Sequence, residues 1–135
     1  MRVTADGLAR LRLVLLGLTG LSCLMFSILA LVQARPDPFF WWFPGGLGVV
    51  SAAALFASSW MAGEAQADMA YDELNADNQR RAAAWAYWVS LALFAPMAVS
   101  NIYGLLPAPA LIAAFGTAMG AAYLLRFVWL DVRQS

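Results

Sequence analysis

The chain has 135 residues, 63% of them hydrophobic, a formal net charge of zero and a mean hydropathy of +0.70. All eight basic residues are arginine and there is no histidine, which excludes a lysine Schiff base, histidine-ligated haem, the common zinc sites and imidazole acid–base chemistry. A single cysteine, Cys23, excludes an intramolecular disulfide and reads as small-residue packing. A chain of this size and composition is one membrane domain, residues 1–135, with no cofactor or metal site of its own.

The first apolar run, Leu13 to Val32, comes after Arg2, Arg10 and Arg12. A membrane-crossing helix needs about 20 apolar residues, and this run supplies one. It is longer than a signal-peptide core and no small-x-small cleavage site closes it, so it reads as a retained span over 13–33. The chain then turns at Arg35-Pro36-Asp37-Pro38 and meets five aromatics, Phe39, Phe40, Trp41, Trp42 and Phe43. Such a cluster at a membrane boundary reads as an interfacial anchor, with an aromatic ligand platform as the alternative.

The second run, Phe39 to Ala62, gives a span over 41–62. Small residues crowd it, with four-residue spacings at Ala53/Ala57 and Ala54/Ser58. The third run, Ala82 to Leu125, is too long for one helix. The turn formers of Asn101 to Pro109 split it into spans 82–103 and 109–130, and Pro109 suits the first turn of the new helix. Pro96 falls mid-helix in the third span, where it should kink it. Gly116 and Gly120 on the fourth span have small-xxx-small spacing, which serves either packing within the bundle or a homo-oligomer contact. Trp85 and Trp88 with Tyr87, and Trp129 beside Arg126, form the matching interfacial belt, and the long Arg126 side chain is placed to snorkel.

Arginine placement predicts orientation. Arg2, Arg10, Arg12, Arg80, Arg81, Arg126 and Arg133 belong to one face and Arg35 alone to the other. The positive-inside rule then places both termini in the cytoplasm of a bacterial inner membrane. The expected fold is an all-α integral membrane four-helix bundle, with a short cytoplasmic helical hairpin over 63–81 between helices two and three. No charge lies deep in a span, which argues against coupled transport and against catalysis in lipid. The chain is therefore read as a non-enzyme.

The hairpin segment is the one hydrophilic element, carrying Glu64, Asp68, Asp72, Glu73 and Asp77 before Arg80 and Arg81. Glu64, Asp68 and Asp72 recur every four residues and share one face of a helix. Helix two is expected to continue to about Leu74 and to turn at Asn75-Ala76-Asp77-Asn78, with Asp77 capping helix three. The acids read as a solvated face paired to Arg80 and Arg81 or as a docking surface for a basic partner; a divalent-cation loop lacks the required spacing.

Asp72-Glu73, then Arg80-Arg81-Ala82 and Ala86-Tyr87-Trp88, resemble a pattern of small bacterial four-helix inner-membrane proteins of unknown function. Some of these resemble membrane-bound inhibitors paired with a cytoplasmic DNA-binding regulator. The likeness covers about 20 residues, and Leu74 stands where an arginine often comes after the acidic pair. It implies a protein partner and no direct contact with nucleic acid. Two functions are expected on these grounds. One is an accessory or regulatory protein that binds a cytoplasmic or membrane-embedded partner through Glu64, Asp68, Asp72 and Glu73. The other is a homo-oligomeric channel or facilitator for an ion or small solute.

Overall fold

The computed structural model describes residues 5–40, 42–65 and 73–134. Its elements are four helices: α1 (Ala5–Val32), α2 (Trp42–Ala62), α3 (Glu73–Ile102) and α4 (Ala108–Gln134). Each is long and apolar enough to cross a membrane. The protein is a multi-pass membrane helix bundle. Such helices form because lipid offers no partner to a free backbone N–H or C=O, so each crossing segment must satisfy its own.

The helix ends obey local chemistry. At the end of α1 the Arg35 N–H donates to the Ala30 carbonyl (3.1 Å) while Ala34 takes a left-handed conformation, φ +52°. That is the Schellman arrangement that satisfies the last carbonyls of a helix, made here with alanine in the position glycine prefers. α3 ends the same way, with Leu105 N–H on the Ser100 carbonyl (2.9 Å) and Gly104 at φ +63°. Pro107 stands just before α4, and its carbonyl accepts from the Ala110 and Leu111 amides, so Pro109 falls in the first turn where its missing N–H costs no bond. Pro96 lies inside α3 on an exposed face.

The turn between the second and third helices differs from the sequence expectation. α2 does not run on to Leu74. It stops at Ala62, and Gly63 has φ +82°, a conformation that breaks the helix at little cost only in glycine. Asn75 to Asn78 is not a turn but part of α3, and Asp77 pairs with Arg81 one helical turn on (2.7 Å) instead of capping. Asn75 and Asn78 are buried, and neither is without a partner.

α1 and α4 form the central antiparallel pair; α2 packs on α1, and α3 packs on α4. Arg12 near the start of α1 meets Asp131 near the end of α4, and Ser27 near the end of α1 meets Ala114 near the start of α4. Trp85 lies against Arg126, and Phe94 against Phe115 (6.4 Å between ring centroids), so α3 and α4 are also antiparallel. The start of α1 and the end of α4 therefore lie at one end of the bundle, and the turns at 33–40 and 103–107 lie at the other.

The α1–α4 seam is built from small residues. Ala110, Ala114 and Ala121 of α4 and Ala30 of α1 are fully covered. The closest approach is at Gly20, where an added Cβ would come within 3.0 to 3.1 Å of Leu125 and of the Leu124 Cβ. Between apolar helices in lipid, association comes from this close contact because there is no water to expel. Of the fourth-helix pair read as a packing ridge, Gly120 faces Cys23 Sγ at 3.9 Å, whereas Gly116 is exposed with nothing within 4 Å of its Cβ position. α2 is nearly bare. Only Pro44 and Ser51 are buried, and Val49, Val50, Phe56 and Trp60 face outward.

Candidate functional site

Three groups of residues carry polar or ionisable chemistry, and they sit in different parts of the bundle. The first is the acidic connection. Glu64 is exposed just past the α2 break. Asp68 and Asp72 lie outside the described residues, and Glu73 opens α3. No group of three potential metal-ligating side chains occurs among the described residues.

The second is the set of hydroxyls inside the spans. Thr19 donates to the Leu15 carbonyl (2.8 Å), so its single proton is used and the Thr19–Ser51 contact (3.1 Å) has Ser51 as donor. This bond is the polar tie between α1 and the otherwise bare α2. Ser27 donates to the Ala114 carbonyl across the central seam (2.8 Å). Ser22, Ser90 and Thr117 donate to carbonyls of their own helices. These hydroxyls hold helices together or satisfy the local backbone. They do not converge on a shared space where a substrate could sit.

The third group lies where the start of α1 meets the end of α4. Arg12 Nη2 and Asp131 Oδ2 are 2.9 Å apart, with side chains only 7% and 13% exposed. Phe127, one turn before Asp131, places its ring 5.5 Å beneath the Arg12 guanidinium. Leu8, one turn before Arg12, and Leu130, beside Asp131 in sequence, are buried as well. An ion pair this enclosed ties the first helix to the last. Sequence reasoning misses it. Arg12 reads there only as a topology charge, and nothing local links it to an acid 119 residues away.

One turn nearer the bundle centre, Arg126 sits between two indoles, 4.2 Å from the Trp129 ring and 5.3 Å from the Trp85 ring. Arg133 covers the Trp129 ring at 3.8 Å. The two arginines at i−3 and i+4 thus share one tryptophan on one helical face. Among the described residues Arg126 has no carboxylate or carbonyl partner, and its buried Nε makes no hydrogen bond. Below it a cleft of about 380 Å³ opens between α3 and α4, walled by Val89, Leu93, Leu125 and Leu24 of α1.

Of the residues read as interfacial anchors, Trp42, Trp85, Trp88 and Trp129 are exposed, with Trp42 at the end opposite the other three. Trp41 lies outside the described residues. Phe39 turns inward and makes edge contacts to Phe26 of α1 (5.0 Å) and Phe43 of α2 (5.8 Å), so part of the aromatic cluster fastens the α1–α2 turn.

The chain matches no protein-family model, and neither the curated proteins nor the solved structures offer a match. The functional reading therefore rests on the residues themselves.

Proposed function

We propose that this chain is a non-enzymatic accessory or regulatory protein of the bacterial inner membrane, with both termini in the cytoplasm. In this reading it binds a partner protein through the acidic segment carrying Glu64, Asp68, Asp72 and Glu73. The observation that carries it is the way the span hydroxyls are used. Thr19, Ser22, Ser27, Ser51, Ser90 and Thr117 are bonded within the bundle, whereas Glu64, at the head of the acidic segment, is exposed just past the α2 break. The orientation is supported by the placement of Arg10, Arg12, Arg80, Arg81, Arg126 and Arg133 at the end that holds the termini, against Arg35 at the other. Acids facing a basic surface speed association and select the partner.

The test is affinity purification in mild detergent with mass spectrometry. A stoichiometric second protein is expected, and the combined variant Glu64→Gln, Asp68→Asn, Asp72→Asn, Glu73→Gln should lose it while keeping the helical content of the parent. Retention of the partner by that variant would rule out the acidic segment as the binding surface.

A homo-oligomeric channel or facilitator is the second reading, favoured by Gly116, whose exposed and open Cβ position admits the helix of a second copy. It predicts ion or solute flux in liposomes that contain this protein alone. Their failure to leak a broad panel of ions and solutes would count against it.

A further inference from the structure

We propose that the cleft below Arg126 is a binding site for one anionic membrane phospholipid, with its phosphate on the guanidinium and an acyl chain along the α3–α4 groove. Three observations define the occupant. Along α3 the walls are Trp85, Val89 and Leu93, and along α4 Ala118, Ala122 and Arg126. Each series advances four residues at a time, so each stays on one helical face. Because the helices are antiparallel, Trp85 and Arg126 close one end and Leu93 and Ala118 the other. The eight-residue separation makes the groove about 12 Å long at 1.5 Å per residue. Half the hydrocarbon core of a bilayer is about 15 Å. The groove therefore spans most of one leaflet, with its charge at the end nearest the start of α1 and apolar walls towards the midplane.

The charge supplies the second argument. Asp131, the acid nearest in sequence, is engaged by Arg12, and Asp77 by Arg81. Among the described residues Arg126 has only the faces of Trp85 and Trp129. Aromatic faces stabilise a guanidinium but leave its in-plane N–H donors unused. A phosphate can accept those donors in a bidentate fork, which is the pairing an arginine makes best. The third argument is fit. The groove volume, about 380 Å³, lies within the roughly 300–1,000 Å³ range of small-molecule sites, and the small side chains of Ala118, Ala121 and Ala122 form its floor. The acids of the 64–77 connection disfavour anionic lipid at that segment, but they belong to a different element from the α4 face that carries Arg126.

The test is native mass spectrometry of the protein extracted from nanodiscs of equimolar phosphatidylglycerol and phosphatidylcholine. The parent should retain phosphatidylglycerol in preference to phosphatidylcholine. Arg126→Gln should reduce that preference about fivefold, the order expected for one basic residue at a charged membrane surface. Ala122→Leu, which keeps the charge and fills the groove, should reduce phospholipid retention of both kinds. Arg133→Gln, which removes a like surface charge but no proposed phosphate contact, should reduce the preference by less than Arg126→Gln does. Circular dichroism and a monodisperse elution profile qualify each variant as folded. The proposal is overturned by a parent with no preference, or by Arg126→Gln and Ala122→Leu both retaining phosphatidylglycerol as the parent does.

Discussion

Arg12 and Asp131 give the clearest case of a single pair holding distant parts of the chain together. Both side chains are almost wholly covered, so the pair has already given up solvation that its mutual 2.9 Å contact and the Phe127 ring help to replace. Removing one partner leaves the other charged and enclosed. Asp131→Asn should therefore destabilise the bundle by about 3 kcal/mol, read as a lower midpoint in denaturant titration in detergent. The double change Arg12→Met, Asp131→Leu should recover most of that loss, since an apolar pair of similar volume needs no solvation. A second residue-scale prediction concerns Ala34, held at φ +52° in the α1 cap. An L side chain costs about 1–2 kcal/mol there and glycine does not, although glycine loses about 0.5–1 kcal/mol more in ordering. Ala34→Gly should raise the thermal midpoint modestly, and a lower midpoint would show that the cap does not form.

At the scale of helices, the seams divide into those that need small residues and those that merely contain them. Gly20 of α1 approaches Leu124 and Leu125 so closely that a larger side chain must push the helices apart, whereas Gly116 of α4 faces open space. Gly20→Leu should therefore cost about 1–3 kcal/mol, the usual penalty for overfilling a packed seam, and Gly116→Leu close to nothing in the monomer. A loss of oligomer, but not of fold, in Gly116→Leu would instead support the oligomeric reading. Ser27→Ala removes the hydroxyl bond from α1 to the Ala114 carbonyl of α4 and should cost about 0.6 kcal/mol, as interhelical bonds in lipid do on average.

The sequence announced the helices but not their partners. Run length and the turn formers at Arg35 to Pro38 and Asn101 to Pro109 are local signals, so the number of helices was legible. Small-xxx-small spacing is also local: it pointed to Gly116, which is open, and to Gly120, which faces Cys23 of α1, and it missed Gly20, whose role depends on a helix more than 100 residues away. The continuation of α2 through Leu74 failed for a related reason. The alanine-rich background and the four-residue acid spacing favour helix, but one glycine in a left-handed conformation at position 63 ends it. Arg126 reads in sequence as a snorkelling cation, and its position between Trp85 and Trp129 emerges only once α3 and α4 are paired.

For the molecule as a whole, the order α2–α1–α4–α3 makes the first and last helices the core and leaves α2 and α3 on the flanks. Such an arrangement is suited to lipid, because Val49, Val50, Phe56 and Trp60 on α2 are as compatible with acyl chains as with protein. It also separates the charged groups from the aromatic turn by height. The Arg12–Asp131 pair, Arg126 with its indoles and the exposed Glu64 all lie at the end that holds the start of α1 and the end of α4, and Phe39 with its aromatic neighbours lies at the other.

The proposed function requires that the first of these ends face the cytoplasm, and one measurement decides it. Single cysteines introduced in a Cys23→Ala background, as Asp6→Cys, Asp37→Cys, Glu64→Cys, Leu105→Cys and Arg133→Cys, are labelled in intact spheroplasts with a membrane-impermeant maleimide. Positions 37 and 105 should label, and positions 6, 64 and 133 should label only after the membrane is opened. Labelling of 6, 64 or 133 from outside, or of neither set, would contradict a four-span bundle with its acidic connection in the cytoplasm.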